Sequence, residues 1–94
     1  MYAIAFDLKY HQTRANHPKG VTQAYRDIAY VLGTYGFRPV QGSVYITDKD
    51  DLANLLQAIL ALKALPWFPD SVGDIRGFRV ESWSDFTAIV KSSQ

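Results

Sequence analysis

The sequence predicts an α+β fold in which four strands and two helices follow the order β-α-β-β-α-β. Three observations support this prediction. The chain opens on a mostly apolar run, Tyr2–Leu8, which is typical of a buried central strand. Apolar residues then recur at helical spacing in two segments, one beginning near Thr22 and the other near Leu52. Two β-prone pieces in FRPVQGSVYI separate those helices, and another, IRGFRVES, follows the second helix.

The composition fits a single domain, 1–94, with a large apolar fraction. Of the 94 residues, 48% are hydrophobic and 14% are aromatic. A small domain with that much apolar surface often covers part of it by self-association, so we expect an oligomer. The formal net charge of +1 neither requires nor excludes a nucleic-acid partner.

The lack of cysteine and the lack of a long apolar run each exclude a class of protein. There is no cysteine, which excludes disulfides, thiolate metal sites and thiol chemistry. No apolar run approaches the ~20 residues of a membrane-spanning helix, and the first residues do not resemble a signal peptide. We therefore expect a protein of the reducing cytoplasm with no membrane partner.

The first strand is followed by a polar and basic segment, KYHQTRANHPKG, that we interpret as a long loop. It contains Pro18 and Gly20, and a loop of this length in so small a domain often has a function. The first helix is expected to begin near Thr22, whose hydroxyl can cap free backbone N–H groups. It is expected to end by Gly36.

The second half of the chain contains the other elements. FRPVQGSVYI is interpreted as an antiparallel hairpin or a bent, bulged strand pair, with Pro39 at an edge or irregular position. The helix in DLANLLQAILALKAL is expected to be capped by Thr47 or Asp48 and to end at PWFPDSVGD. IRGFRVES is the last predicted strand, and SWSDFTAIV is expected to form a helix or an added strand. This order is that of the ferredoxin-like sandwich, whose antiparallel sheet runs 4-1-3-2 with the first strand central.

Several long strings resemble the virulence-associated protein D (VapD) family. They are MYAIAFDL, NHPKGVTQAY, GFRPVQGSVYI, LANL, LKALPWFP and DIRGFRVESWSDFT, and together they cover essentially the whole chain. The resemblance implies a small cytoplasmic homodimer with a ferredoxin-like fold. It also implies an endoribonuclease that cleaves single-stranded RNA as the toxin of a toxin–antitoxin system, with an antitoxin protein as a further partner.

A more distant resemblance is to the small nuclease-like subunit of CRISPR adaptation. In that family an apolar strand ends in an aromatic residue and Asp, and a Gly-x-x-x-x-Gln-x-Ser-Val-aromatic string follows. The family often carries Arg two residues before the Gln, whereas this chain has Pro39 there and Arg38 one step earlier. The matching residues are Phe6, Asp7, Gly36, Gln41, Ser43, Val44 and Tyr45.

Asp7 is the first candidate for chemistry. It follows apolar positions on the predicted central strand, so its carboxylate is expected at the edge of the sheet. The resemblance implies that two such carboxylates face each other across a dimer axis. There the pair could hold Mg²⁺ through oxygen ligands, or one carboxylate could act as general base. The alternative is an aspartate that caps the segment after the strand.

Ser43 is the second catalytic candidate. It lies at the predicted turn beside Gly42, and strands one and three are neighbours in this fold. Its hydroxyl could therefore orient Asp7 or donate a hydrogen bond to a phosphate. The alternative is ordinary turn chemistry, for which Gly and Ser are common residues.

RNA binding requires cations and surfaces on which bases can stack. His11 and His17 in the basic segment could also act as acid or base in RNA cleavage, with the 2′-hydroxyl as nucleophile. The alternative is that a polar loop carries these residues only for solubility. The candidate substrate-binding residues are Lys9, Arg14, His17, Lys19, Arg38, Gln41 and Tyr45.

Two hypotheses remain open from the sequence. The first is a homodimeric endoribonuclease with Asp7 at its centre. The second is a non-catalytic dimeric module that binds RNA or an antitoxin without cutting. In both, PWFP and Trp83 are expected in the core or the dimer interface. Asp48, Asp50 and Asp51 are expected to favour the start of the second helix rather than to form a metal cluster.

Overall fold

The computed structural model describes residues 1–92, which form one antiparallel sheet with two long helices packed on one of its faces. Both long helices contribute buried residues to a core shared with the sheet. Within these residues the strands are β1 (Tyr2–Leu8), β2 (Arg38–Gln41), β3 (Val44–Thr47) and β4 (Val72–Arg79). The helices are α1 (Tyr10–Asn16), α2 (Gly20–Thr34), α3 (Leu52–Lys63) and α4 (Thr87–Lys91).

The sheet has the predicted strand order. The order is β2-β3-β1-β4, and each neighbouring pair is antiparallel, so β1 is central. Ile4 in β1, for example, lies opposite Tyr45 in β3 and Gly77 in β4. The predicted α+β class and the central position of the first strand are therefore confirmed.

Alternation along β1 separates the core from the opposite face of the sheet. Ile4 and Phe6 point to the helices, so Ala3, Ala5 and Asp7 point the other way. Trp67 and Phe68 of the PWFP segment are buried in this core, which is one of the two places predicted for them. The buried cluster consists of Ile4, Phe6, Ala24, Ile28, Leu32, Phe37, Tyr45, Leu55, Ala58, Leu62, Trp67 and Phe68.

The segment after β1 is not a long loop, and that prediction is wrong. Residues 10–16 form α1, although a helix of 7 residues is too short to show a clear apolar period. The helix is stabilised by contacts with the rest of the chain. Thr13 is fully buried and its hydroxyl donates to the Lys9 carbonyl oxygen at 2.7 Å, while the Asn16 amide donates to Ser71 Oγ at 3.2 Å.

The start of α2 also differs from the prediction. It begins at Gly20 rather than near Thr22, and no side chain caps it. The turn before it is instead held by the His17 ring, whose Nδ1 accepts the Lys19 backbone N–H at 2.9 Å. Gly20 has φ of 88°, a left-handed conformation that glycine adopts without strain.

The cap of α3 is Asp51, not the predicted Thr47 or Asp48. Asp51 Oδ1 accepts the backbone N–H groups of Ala53 and Asn54 at 2.9 and 3.4 Å. This places a carboxylate at the positive end of the helix dipole, as proposed for the acidic cluster as a whole. The Asp48 carboxylate instead pairs with a guanidinium on β2.

The hairpin and the C-terminal part of the chain complete the fold. β2 is an edge strand that contains Pro39, and its register with β3 shifts between Pro39 and Gln41, which confirms the predicted bulged pair. β4 begins at Val72, three residues before the predicted start at Ile75, because its pairing with β1 continues past that point. The C-terminal segment ends in the short helix α4. Within residues 1–92 no helix is long and apolar enough to span a membrane.

Candidate active site

Asp7 lies on the face of the sheet opposite the two long helices, α2 and α3. It is the penultimate residue of β1, and its side chain is exposed. α1 begins three residues later, at Tyr10, with Lys9 at the cap position and without a side-chain cap. The structure therefore does not support the alternative in which Asp7 caps the following segment.

A second aspartate faces Asp7 from the neighbouring strand. Asp74 of β4 is directly opposite Asp7 in the register, and both are exposed. Directly opposite residues in an antiparallel pair have Cβ atoms about 4.5–5.5 Å apart, so the two carboxylates share one patch of surface. Two like charges in this arrangement repel each other, which destabilises the sheet unless a cation is near.

Arg76 is that cation for one of the two carboxylates. It lies two residues after Asp74, on the same face of β4, and opposite Ala5. Its Nε is 3.2 Å from both carboxylate oxygens of Asp74, and an Nη is 3.2 Å from Oδ1. The Asp7 carboxylate forms no hydrogen bond or ion pair within residues 1–92, so it is the more available of the two.

The sequence analysis missed Asp74 and Arg76. The last strand was predicted to begin at Ile75, which left Asp74 in the preceding breaker segment. A usable signal was the alternation of Asp74, Arg76 and Phe78 with Ile75, since it places the charged residues on one face of a longer strand.

Ser43 lies at the same end of the sheet as Asp7. The Phe6 backbone N–H donates to the Ser43 carbonyl oxygen at 3.0 Å, which ties the β2–β3 turn to the residue before Asp7. Gln41 is exposed on the edge strand β2, opposite Val44. The structure therefore brings both catalytic candidates, Asp7 and Ser43, to one end of the sheet.

Tyr45 is not part of that surface. It lies opposite Ile4 on the helix side of the sheet, 5% exposed, with its ring stacked on Phe6 at 6.2 Å between centroids. Burial raises the pKa of its hydroxyl. A base that contacts the Asp7 face would have no access to the Tyr45 ring.

The predicted cations fall into two groups. Lys9, Arg14 and Lys19 are exposed in and around α1, and none of them forms an ion pair with a carboxylate of the described residues. Arg38 lies at the other edge of the sheet and pairs with Asp48 at 3.4 Å. The unpaired cations are therefore those nearest in sequence to Asp7.

His17 occupies a structural position. It is 6% exposed, and its ring lies 4.9 Å from that of Trp67. Because Nδ1 accepts the Lys19 N–H, we assign the proton to Nε2, which donates to Asp27 at 2.6 Å. This bond, followed by one from Gln23, lowers the pKa of the Asp27 carboxyl. Both ring nitrogens of His17 therefore already form hydrogen bonds within the chain.

The donor set at the Asp7 end is compatible with a hard divalent cation. Mg²⁺ binds proteins through one or two carboxylates and keeps several waters, and Asp7 and Asp74 supply two carboxylates on adjacent strands. Residues 1–92 contain no cluster of three or more His, Asp or Glu side chains that could form a complete cage. Any cation held here would therefore take its remaining ligands from water, substrate or a second protomer.

The chain is similar to curated bacterial proteins along nearly its whole length. An endoribonuclease VapD homologue of Neisseria gonorrhoeae is 61% identical over 92 residues, which is 98% of this chain and 100% of that protein. Endoribonuclease VapD of Haemophilus influenzae is 55% identical over the same shares of the two chains. Endoribonuclease VapD of Dichelobacter nodosus is 46% identical over 99% of this chain and 100% of that protein. No protein-family model matches the chain.

Proposed function

The chain belongs to the VapD family, and from this premise we propose that it is an endoribonuclease that cleaves single-stranded RNA. The observation that carries the proposal is the exposed Asp7 carboxylate, which is unpaired within residues 1–92 and faces Asp74. The names of its relatives give the class of reaction, and this arrangement gives a site where that reaction could occur.

In the proposed reaction Asp7 acts as general base. Cleavage requires a proton to leave the attacking oxygen, whether that is the 2′-hydroxyl of the RNA or a water, as the new O–P bond forms and the bond to the leaving oxygen breaks. The proton passes to the Asp7 carboxylate, and the leaving oxygen takes a proton from solvent. Asp7 suits this role because no group of the described chain already occupies its oxygens.

The neighbouring residues hold the phosphate. The Ser43 hydroxyl donates a hydrogen bond to a phosphate oxygen, and the cations near α1 offset its charge. Arg76 keeps Asp74 neutralised, so that the substrate phosphate meets less negative charge than two free carboxylates would present. Asp7 and Asp74 would hold Mg²⁺ where one is bound, and its charge would lower the repulsion between these carboxylates and the phosphate.

We further propose that the active form is a homodimer whose interface covers the Phe78 end of the Asp7 face and leaves Asp7 open to RNA. Phe78 lies on that face, opposite Ala3, and is 45% exposed, and Trp83 and Phe86 just after it are also exposed. An exposed aromatic side chain on a sheet face is a common anchor of an interface. Light scattering should report a dimer for wild type and a shift toward monomer for Phe78→Ser, with Tyr30→Ser on the exposed side of α2 as matched control.

The proposed biological setting is that of a cytoplasmic toxin whose activity an antitoxin protein limits. The resemblance of the whole chain to VapD supports this role. Expression of the wild-type chain should slow growth and deplete cellular RNA, and expression of Asp7→Asn should do neither. Growth inhibition that persists in Asp7→Asn would contradict a toxin that acts by RNA cleavage.

Cleavage of RNA by the purified chain is the deciding experiment. Wild type and Asp7→Asn are incubated with a labelled single-stranded RNA, each with Mg²⁺ and with chelator. We expect cleavage by wild type alone, and loss of cleavage in chelator if a metal is bound at the aspartate pair. RNA that binds wild type but is never cut would favour the non-catalytic module instead.

A further inference from the structure

A bulge in the edge strand β4 lies directly beside the aspartate pair. Asp7 is paired with Asp74, but the next residue of β1, Leu8, is paired with Val72. Gly73 is therefore the extra residue of β4, without a partner across the strands. Bulges of this kind often redirect a side chain next to a functional site.

The residue that lies across the bulge is Lys9. A Cβ atom built on Gly73 would be 3.4 Å from Lys9 Cγ and 3.5 Å from Lys9 Cε. The aliphatic part of Lys9 therefore runs along the bare backbone of Gly73. The same Cβ would be 3.5 Å from the Asp7 carbonyl oxygen, which shows how close this contact is to the aspartate pair.

The backbone of Lys9 is fixed by hydrogen bonds to two buried residues. Its N–H donates to the Ser71 carbonyl oxygen at 2.8 Å, and its own carbonyl oxygen accepts both the N–H and the hydroxyl of Thr13 at 2.8 and 2.7 Å. Ser71 and Thr13 are both fully buried. This backbone anchoring fixes the point from which the Lys9 side chain extends, beside Gly73 and the Asp7 carbonyl oxygen.

We propose that Gly73 is a positioning residue, whose missing side chain lets Lys9 lie across β4 and present its ammonium to an RNA phosphate beside Asp7. This inference rests on the proposed endoribonuclease function and deepens it. Lys9 is suited to the role because it forms no ion pair with any carboxylate of the described residues. Arg76 is not available in the same way, since Asp74 already holds its guanidinium.

The test compares two substitutions at Gly73. Gly73→Ala adds only a Cβ at ordinary contact distance from Lys9, whereas the γ carbons of Gly73→Val need the space that the Lys9 stem occupies. Gly73 does not have a positive φ, so both residues suit its backbone. Each is placed in an Asp7→Asn chain, and binding of a labelled single-stranded RNA is measured over a range of salt concentrations.

We expect Gly73→Val to weaken binding roughly five- to tenfold at low salt, as the loss of a phosphate contact would. The slope of log affinity against log salt should fall by about 0.7, the value for one contact to a single strand. Gly73→Ala should change neither quantity. Gly33→Ala serves as the control for a new methyl group elsewhere, since a Cβ there meets nothing within 4 Å.

A double-mutant cycle separates positioning from damage to the fold. If Gly73→Val acts through Lys9, it should have no further effect on binding by a Lys9→Ala chain, because the contact is already gone. An equal loss in both backgrounds would overturn the inference, as would unchanged binding by Gly73→Val. Wild type that neither binds nor cuts RNA would refute the proposed function itself, and the inference with it.

Discussion

Asp7 and Asp27 lie on either side of the same basic segment, yet the fold treats the two aspartates in opposite ways. The Asp27 carboxylate accepts a 2.6 Å hydrogen bond from a buried histidine and a 3.0 Å bond from Gln23. The Asp7 carboxylate accepts none within residues 1–92 and faces a second carboxylate, Asp74, across the strands.

This difference separates a carboxylate that stabilises the fold from one that is open to a substrate or a metal ion. The hydrogen bonds of Asp27 connect α2 to the turn before it, so its charge contributes to the folded state. Asp7 has no such hydrogen bond within residues 1–92, and it faces Asp74, whose charge Arg76 offsets. An exposed carboxylate with no partner in the fold can exchange its water for a substrate or a metal ion.

The comparison predicts the largest effect for Asp7→Asn. Cleavage should fall by roughly 10²–10⁴-fold, the contribution typical of a general base. The free energy of unfolding should stay the same or rise slightly, because one of two facing like charges is removed. Parallel measurement of cleavage and urea unfolding checks this, and a variant that loses both would show that Asp7 is structural.

The opposite pattern is expected for His17→Ala. It removes the partner of Asp27, the acceptor of the Lys19 N–H and a ring packed on Trp67, which should cost about 2–4 kcal/mol of unfolding free energy. Cleavage per folded molecule should be nearly unchanged. His11→Ala is the matched control on an exposed position. Loss of cleavage in a still-folded His17→Ala chain would instead support His17 as a catalyst.

An intermediate effect is expected for Arg76→Ala. Without its guanidinium, Asp7 and Asp74 would repel both each other and the phosphate, so cleavage should fall about tenfold at low salt, or ~1.4 kcal/mol in the barrier. Because salt screens this repulsion, the defect should shrink as ionic strength rises. Arg26→Ala, which removes an exposed arginine without an ion pair in the described chain, is the control. A defect independent of salt would contradict the electrostatic role.

The sequence was sufficient to predict the sheet and the position of Asp7 on it. The apolar run of β1 and the bulged hairpin are local patterns, and the strand order follows from how four such strands connect. The α1 helix could not be predicted in the same way. Its stability comes from the burial of Thr13 and from the hydrogen bond of Asn16 to Ser71 far along the chain, which no local pattern records.

The candidate site was only half predictable for the same reason. Asp7 is visible because a charge interrupts an apolar strand. Asp74 becomes significant only through its register with Asp7, which depends on a bulge at Gly73. His17 lies in a polar string that gives no sign of burial, and the aspartate that binds it is ten residues further along. A site residue that is defined by its partner in a distant segment can be recognised only once the fold is known.

The smallest effect in this comparison is the pH dependence conferred by Asp27. The His17 hydrogen bond, and then that of Gln23, lower its pKa in the folded chain relative to an ordinary value of about 3.9. The ionised carboxylate therefore stabilises the fold above that ordinary pKa, and this contribution is lost as the pH falls through the lowered pKa of the folded state. Asp27→Asn lacks it at every pH, so urea midpoints of wild type and variant should differ near neutral pH and converge below about pH 4. Because the pair is partly exposed, the difference should be below about 1 kcal/mol.

A gap that stays constant down to about pH 2 would show that Asp27 stabilises the chain through packing rather than through its charge.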